Sequence, residues 1–398
     1  MALENGTTPR FLLLLPAAPA EGDAEIINGV YGDSIRQVLK EVALASQSST
    51  DAAILEIALA CPHLLLKPSR NFDRYQKTQS VVAQIYRLVC TIAAKDKINV
   101  EDRDGVNVRV ILVGWDGQSS SNPSPERFVP TIQDLAASSR QWQYAFGVEN
   151  EAGEAMVRAF VTAKSSVKQL NAASGLRETG RSPHSGPGSR LPCVAVGGTF
   201  DHLHIGHRLL LTLTVFAVLD DEADSNADRS VIIGITGDEL LKNKKYAEHL
   251  ESWHDRQRAV LDFVVSTFSF DRPDQPPPSS TEVFREGPNG HAIDTKFSNG
   301  LCLRCVEIGD PFGPTITEAE IDALIISAET RAGGKAVNDK RLEQGWEALE
   351  VLEVDVLDTE EATTSQSGDP TSTDDFAGKI SSTEIRRKLS SKVHPSVL

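Results

Sequence analysis

Residues 194–207, Val-Ala-Val-Gly-Gly-Thr-Phe-Asp-His-Leu-His-Ile-Gly-His, restrict the fold more than any other stretch of the chain. Val194 and Val196 suit a strand buried on both faces. Gly197 and Gly198 then break it with residues that bend freely and let a ligand approach the backbone. The apolar run 209–218 reads as a helix whose first turn falls just past the glycines. Its free N–H groups and positive dipole end point into the same pocket, an arrangement that holds phosphates. His204 and His207, three residues apart, fall on one helical face and offer donors to a polyphosphate.

The rest of the composition narrows the setting. A chain of 398 residues has room for two domains, and a hydrophobic content of 40% lets both bury cores. The net charge of −16 argues against a nucleic-acid partner, which needs a basic face to neutralise phosphates. The five cysteines, Cys61, Cys90, Cys193, Cys302 and Cys305, form an odd and dispersed set that fits a reducing compartment, read here as the cytoplasm. Cys302 and Cys305 lie in an apolar run without a second ligand pair, so they read as strand residues and no metal site is expected. No apolar stretch approaches the roughly 18 residues of a membrane span, and 11–15, cut by Pro16, reads as a strand.

Residues 1–163 read as a separate N-terminal α/β domain of unknown role, with strands at 10–15 and 107–115 and helices at 33–45 and 80–94. Trp115-Asp116-Gly117 reads as turn chemistry. Residues 164–190, rich in Ser, Gly, Pro and Arg, read as a flexible linker, and 191–398 as the second domain. There, the run 230–236 supplies a second buried strand and completes strand, helix, strand, the unit of a parallel Rossmann-like sheet. The loop 237–245 leaves the carboxyl end of that strand, which turns Lys242 and Lys244 toward the crevice of the histidines. Segment 271–297 reads as an inserted irregular loop, and the acidic segment 360–378 as a second, disordered insertion. Between them fall strands at 301–308, 323–326 and 349–356, a short helix capped by Thr317 and Glu320, and a helix at 335–344. A final helix, capped by Ser382 or Thr383, presents Arg386 to an anion. The expected fold class is therefore α/β, a C-terminal Rossmann-like domain with a parallel sheet preceded by a separate α/β domain.

His204-Ile205-Gly206-His207, following Gly-Gly-Thr-Phe-Asp, resembles the HxGH motif of the nucleotidyltransferase superfamily. Three later stretches narrow the resemblance: the Asp-Pro-Phe-Gly-Pro-Thr loop at 310–315, Ser-x-Glu-Thr at 327–330 followed by Gly333-Gly334, and Ile-Ser-Ser-Thr-x-Ile-Arg at 380–386. Together they resemble phosphopantetheine adenylyltransferase of the eukaryotic and archaeal type. That family makes dephospho-coenzyme A and pyrophosphate from ATP and 4′-phosphopantetheine.

The resemblance implies roles residue by residue. His204 and His207 would meet the ATP phosphates and the departing pyrophosphate, Thr199 would orient the attacking phosphate, and Lys244, with Lys242 second, would stabilise the α-phosphate. Gly197, Gly198, Phe200 and Gly206 would shape the nucleotide site, and Ser381, Ser382, Thr383 and Arg386 would close over the triphosphate. Mg²⁺ would arrive with ATP. The resemblance also leaves room for association with other enzymes of coenzyme A synthesis, and it implies neither nucleic acid nor membrane as a partner. The chain holds no GxxxxGK[ST] loop, so a fused dephospho-coenzyme A kinase is not expected. A CTP-dependent cytidylyltransferase is the competing reading. Its last motif reads Arg-Thr-x-Gly-Ile-Ser-Thr, whereas Ala377-Gly378-Lys379 precede Ile380 here. A non-catalytic scaffold on the same fold is a third, opposed by the retention of His204, His207, Lys244 and Arg386.

Overall fold

The computed structural model describes residues 8–19, 23–47, 52–65, 71–101, 105–118, 129–171, 192–219, 229–270, 276–355 and 381–393. The first of two sheets is built from β1 (Arg10–Leu15), β2 (Ala53–Ala60), β3 (Val106–Val113) and β4 (Tyr144–Gly147), in the order β3-β2-β1-β4 and wholly parallel. Leu13, Ile57 and Val110 share one rung, each with no exposed surface. Strands covered on both faces explain why these segments are continuous apolar runs and do not alternate. The covering helices are α1 (Ala24–Ser46), α2 (Asn71–Asp96), α3 (Ile132–Ala137) and α4 (Glu151–Asn171). Asp23 caps α1 by accepting from the Ile26 N–H at 2.9 Å, which starts this helix well before the expected residue 33.

The second sheet comprises β5 (Cys193–Gly198), β6 (Arg229–Thr236), β7 (Ser279–Phe284), β8 (His291–Lys296), β9 (Leu301–Ile308), β10 (Ala323–Ser327) and β11 (Glu350–Val354). Its order is β11-β10-β5-β6-β9-β8-β7, parallel from β11 to β9 and antiparallel beyond. The chain thus leaves β5 toward β6 on one side and later returns to β10 on the other. The carboxyl ends of β5 and β10 flank the point where the winding reverses, where open α/β sheets bind ligands. Helices α5 (Ile205–Leu219), α6 (Trp253–Phe268), α7 (Arg331–Glu343) and α8 (Ser382–Val393) complete this unit. The α/β class with a parallel Rossmann-like sheet and a further α/β unit is borne out.

Some local expectations are corrected. Residues 164–171 are not linker but the last turns of α4, which runs on from the buried Met156 and Phe160; residues 172–191 lie outside the described residues. Within 271–297, β7 and β8 form an antiparallel hairpin that extends the sheet from β9, and Thr295 and Ala292 are buried in it. No helix follows Thr317, whose N–H instead closes a 3₁₀ turn on the Pro314 carbonyl at 3.0 Å. The segment 360–378 lies outside the described residues.

The two units share one apolar core. Helix α5 is apolar around its whole circumference, and Leu209, Leu211, Leu213, Val215, Phe216 and Val218 are all buried. A helix of that kind needs cover on every side. The second sheet covers one side and α2 of the first unit covers another, with the rings of Tyr75 and Phe216 stacked 6.3 Å apart. Polar ties cross the same boundary: Arg208 Nη1 donates to the Val108 carbonyl at 3.0 Å, Arg109 donates to Ser266, and Lys388 pairs with Glu101 at 2.8 Å. Among the described residues no helix is long and apolar enough to cross a membrane.

Candidate active site

β10 pairs with β5 only up to the rung Ile325↔Val196, so the strands part at Gly197 and open a crevice. A Cβ placed on Gly197 would meet nothing within 4 Å, whereas one on Gly198 would lie 3.1 Å from the Phe200 ring. Open space for a ligand therefore stands over Gly197, and a side chain at Gly198 would press on the ring of Phe200. Phe200 itself is fully buried and holds a left-handed backbone (φ 51°), as does His202 (φ 46°). Two such residues in one turn are costly for side chains with a Cβ, and strain of this kind gathers at functional sites.

The turn delivers two histidines to the head of α5. His204 sits just before the helix, its carbonyl accepting the Arg208 N–H at 3.0 Å, and its ring stacks on that of His207 with centroids 3.9 Å apart. A Cβ at Gly206 would come within 3.2 Å of the His204 ring, so glycine there lets the rings meet. Nδ1 of each histidine is buried without a hydrogen-bond partner. Burial, then the neighbouring His207, Arg208 and His202, push the His204 imidazole well below its ordinary value. His207 is pushed down to about 3 by burial, then Arg208 and His202. Both rings are therefore neutral near pH 7. A pair of neutral, closely stacked imidazoles with unmet ring nitrogens is a site prepared for an anion that would supply acceptors and favour their protonation.

Two buried arginines lock the surrounding loops. Arg256, with no exposed surface, donates to the Thr199 carbonyl at 2.6 Å, to the Thr236 carbonyl and Asp238 Oδ1 at 2.7 Å each, and to the Glu251 carbonyl at 3.0 Å. Arg386 on α8 pairs with the fully buried Asp201 and donates to the Lys245 carbonyl at 3.1 Å and to Thr383 Oγ1 at 3.2 Å. The glycine turn, the lysine loop and α8 are thereby brought together. Asp201 also accepts from the Glu251 N–H at 3.0 Å, so both of its oxygens are engaged.

The remaining candidates divide by their contacts. Thr199 is held by its carbonyl, which accepts from Arg256, and its hydroxyl makes no hydrogen bond among the described residues. Lys242 is exposed and pairs with Glu239, while Lys244 is exposed and, among the described residues, joins the loop through its N–H to the Leu241 carbonyl at 2.9 Å. Ser382 Oγ donates to the Asp201 carbonyl at 2.8 Å, and Ser381 caps α8 by accepting the Glu384 N–H at 3.3 Å. Ser381 is thus the cap in place of Ser382 or Thr383, and Arg386, Ser382 and Thr383 hold the turn in this state. Arg256 was missed in sequence; its only signal is a position one turn into a helix that follows the lysine loop. A different trio, His254, Glu282 and His291, offers ligand atoms within 4.8 Å of one another. Both nitrogens of His291 are already bonded there, to Glu307 at 2.7 Å and Glu282 at 2.9 Å.

A family model described as a domain of unknown function (DUF8446) matches residues 1–179. A phosphopantetheine adenylyltransferase of Thermococcus gammatolerans is 30% identical over 164 residues, covering 41% of this chain and 77% of that protein. The chain belongs to the phosphopantetheine adenylyltransferase family. The protein named phosphopantetheine adenylyltransferase in Saccharomyces cerevisiae is 34% identical over 203 residues, 51% of this chain and 50% of the yeast protein. An uncharacterized protein of Schizosaccharomyces pombe is 36% identical over 195 residues, 49% of this chain and 47% of that protein. The chain spans about half the length of these two relatives.

Proposed function

We propose that the protein transfers the adenylyl group of ATP to 4′-phosphopantetheine, giving dephospho-coenzyme A and pyrophosphate. The observation that carries this reading is the stacked, neutral His204–His207 pair, with both Nδ1 atoms unmet, at the head of α5 and beside the open face of Gly197. The names of the relatives in the T. gammatolerans and yeast comparisons supply the acceptor and the product class.

A phosphate oxygen of phosphopantetheine attacks the α-phosphorus of ATP; the bond from that phosphorus to the bridging oxygen breaks, and pyrophosphate leaves with the electron pair. No protein nucleophile is needed, so catalysis is positioning and charge stabilisation. The two imidazoles meet the β- and γ-phosphates and gain stabilisation as charge builds on the leaving group. Thr199 orients the acceptor phosphate, and Lys244 approaches the α-phosphate from the loop that Arg386 and Arg256 hold in place. The substrate is MgATP, its ion carried by phosphate oxygens and water, since Asp201 already has both oxygens engaged.

The test is pyrophosphate release by purified protein with ATP or CTP, each offered phosphopantetheine, nicotinamide mononucleotide or phosphocholine. ATP with phosphopantetheine alone should turn over, and His207→Ala should abolish it without unfolding the chain. Turnover of CTP with phosphocholine, or near-normal activity of the His207 variant, overturns the reading.

A further inference from the structure

Between the two units lies a cavity of about 940 Å³, walled by the leading ends of β1, β2 and β3, residues 138–141, helix α6 and the stretch around His202. None of Gly197, Thr199, His204, His207 or Lys244 lines it, so it is separate from the crevice described above. Its polar lining is unusual in charge. Arg10, Arg109, Arg140 and Arg208 all face it, and Arg10 and Arg140 share the buried carboxylate of Glu56, with Arg140 at 3.2 Å.

Arg109 and Arg208 have no such partner. Both are buried, at 8% and 6% exposure. Arg208 spends one nitrogen on the Val108 carbonyl, and Arg109 reaches only the neutral side chains of Asn107 and Ser266. Neither lies within ion-pair distance of a carboxylate among the described residues. Of the acidic groups in the wall, Glu101 is paired with Lys388 and Glu251 faces His202, which leaves Asp262, a half-buried carboxyl that feels the charges of Arg109 and Arg258 without pairing with Arg109. Burial, then the charge of Arg208, pushes Arg109 down to about 9 against the opposing pull of Glu56. Buried guanidinium groups are normally matched to carboxylate or phosphate, because their desolvation is otherwise uncompensated.

We propose that this cavity binds a phosphate monoester of nucleotide size, its phosphate bridging Arg109 and Arg208. The charge count selects the ligand. A phosphate monoester brings close to two negative charges and several acceptor oxygens, enough for two planar guanidinium forks, whereas a monocarboxylate leaves one unmatched. Leu203, Leu261 and Phe263 offer apolar surface for the organic part. The volume suits a ligand of that size. Arg208 follows His207 directly in α5, which sets this cavity beside the histidine pair.

The experiment is hydrogen–deuterium exchange of the full chain with adenosine 5′-monophosphate, and separately with inorganic phosphate. It uses wild type, Arg109→Met, Ser139→Glu and His207→Ala. Ser139 is an exposed residue of the cavity wall, so a carboxylate there repels phosphate without disturbing the core. The nucleotide should slow exchange in 107–109 and 261–266 in wild type and in the His207 variant. The effect should need at least ten-fold more nucleotide in the Ser139 and Arg109 variants. Absence of protection in wild type, its loss in His207→Ala, or its retention in Ser139→Glu overturns the proposal. Equal protection by inorganic phosphate at the same concentration overturns the nucleotide-sized ligand. Because the readout lies outside the histidine crevice and needs no turnover, it stands or falls independently of the adenylyl-transfer reading.

Discussion

Arg386 reaches back across 185 residues to pair with Asp201, both side chains almost fully buried, and so fastens the last described helix to the glycine turn. Removing one member leaves the other charge buried and unmatched, which costs about 3–5 kcal/mol. Arg386→Met should lower stability by that order in urea unfolding. The double variant Asp201→Asn/Arg386→Met should lose clearly less than the sum of the two single losses. Additive losses would show that the pair is not coupled.

Gly206 makes room for the His204 ring. Gly206→Ala should change stability by less than about 1 kcal/mol, since alanine is the better helix residue. It should nonetheless weaken inorganic tripolyphosphate binding by ten-fold or more in calorimetry, because the Cβ displaces one ring of the stack.

Lys242 is already paired with Glu239 in solvent, while Lys244 has no carboxylate in ion-pair reach among the described residues. Lys244→Met should lower kcat at least a hundred-fold, and Lys242→Met no more than about three-fold, exposed pairs contributing little. Equal losses in steady-state assays would mean that the loop acts only as a diffuse positive field.

The histidine pair sets a pH dependence of known sign. The unfolded chain takes up protons on these rings near pH 6.5, the folded chain only far lower, with His207 at about 3. Stability therefore falls as pH drops below 6.5, by up to about 1.4 kcal/mol per pH unit for each histidine, and is unaffected by them above that value. His63, pushed down to about 4 by burial, Lys77 and Arg74, adds in the same direction. Urea unfolding from pH 7 to pH 4 should show a shallower decline in His204→Gln/His207→Gln. A bound polyphosphate raises both pKa values, so stabilisation by tripolyphosphate should grow as pH falls from 8 to 6.

A chain started at residue 192 would strip α2 from α5 and expose Phe216 and its neighbours. It should be poorly soluble or unfolded by circular dichroism. A stable, monomeric and active fragment would contradict the shared core.

Much of this was legible in the sequence: 10–15 coincides with β1, a buried parallel strand that leaves a continuous apolar run, and 301–308 with β9, whose burial partly alternates. The hairpin β7–β8 escaped because its outer strand is exposed and polar, Ser-Ser-Thr-Glu-Val-Phe, and carries no core signal. The glycine turn and the two histidines were readable from spacing. The use of Arg386, Ser382 and Arg256 as fasteners was not, since a buried arginine differs from a surface one only in what lies across from it. Glu56, buried inside Ala-Ile-Leu-Glu-Ile-Ala-Leu-Ala, did leave a trace: one carboxylate in an apolar strand requires cations, here Arg10 and Arg140. The apolar circumference of α5 likewise announced that a second body must cover it.

The Arg386–Asp201 tie also sets an order of events during synthesis. Asp201 leaves the ribosome 185 residues before its partner, an interval on the order of ten seconds or more at ordinary elongation rates. Through that interval the second sheet can assemble strand by strand while the turn carries a carboxylate with no counter-charge. Among the described residues, the crevice beside the glycine turn is thus the last part to set, once α8 has docked.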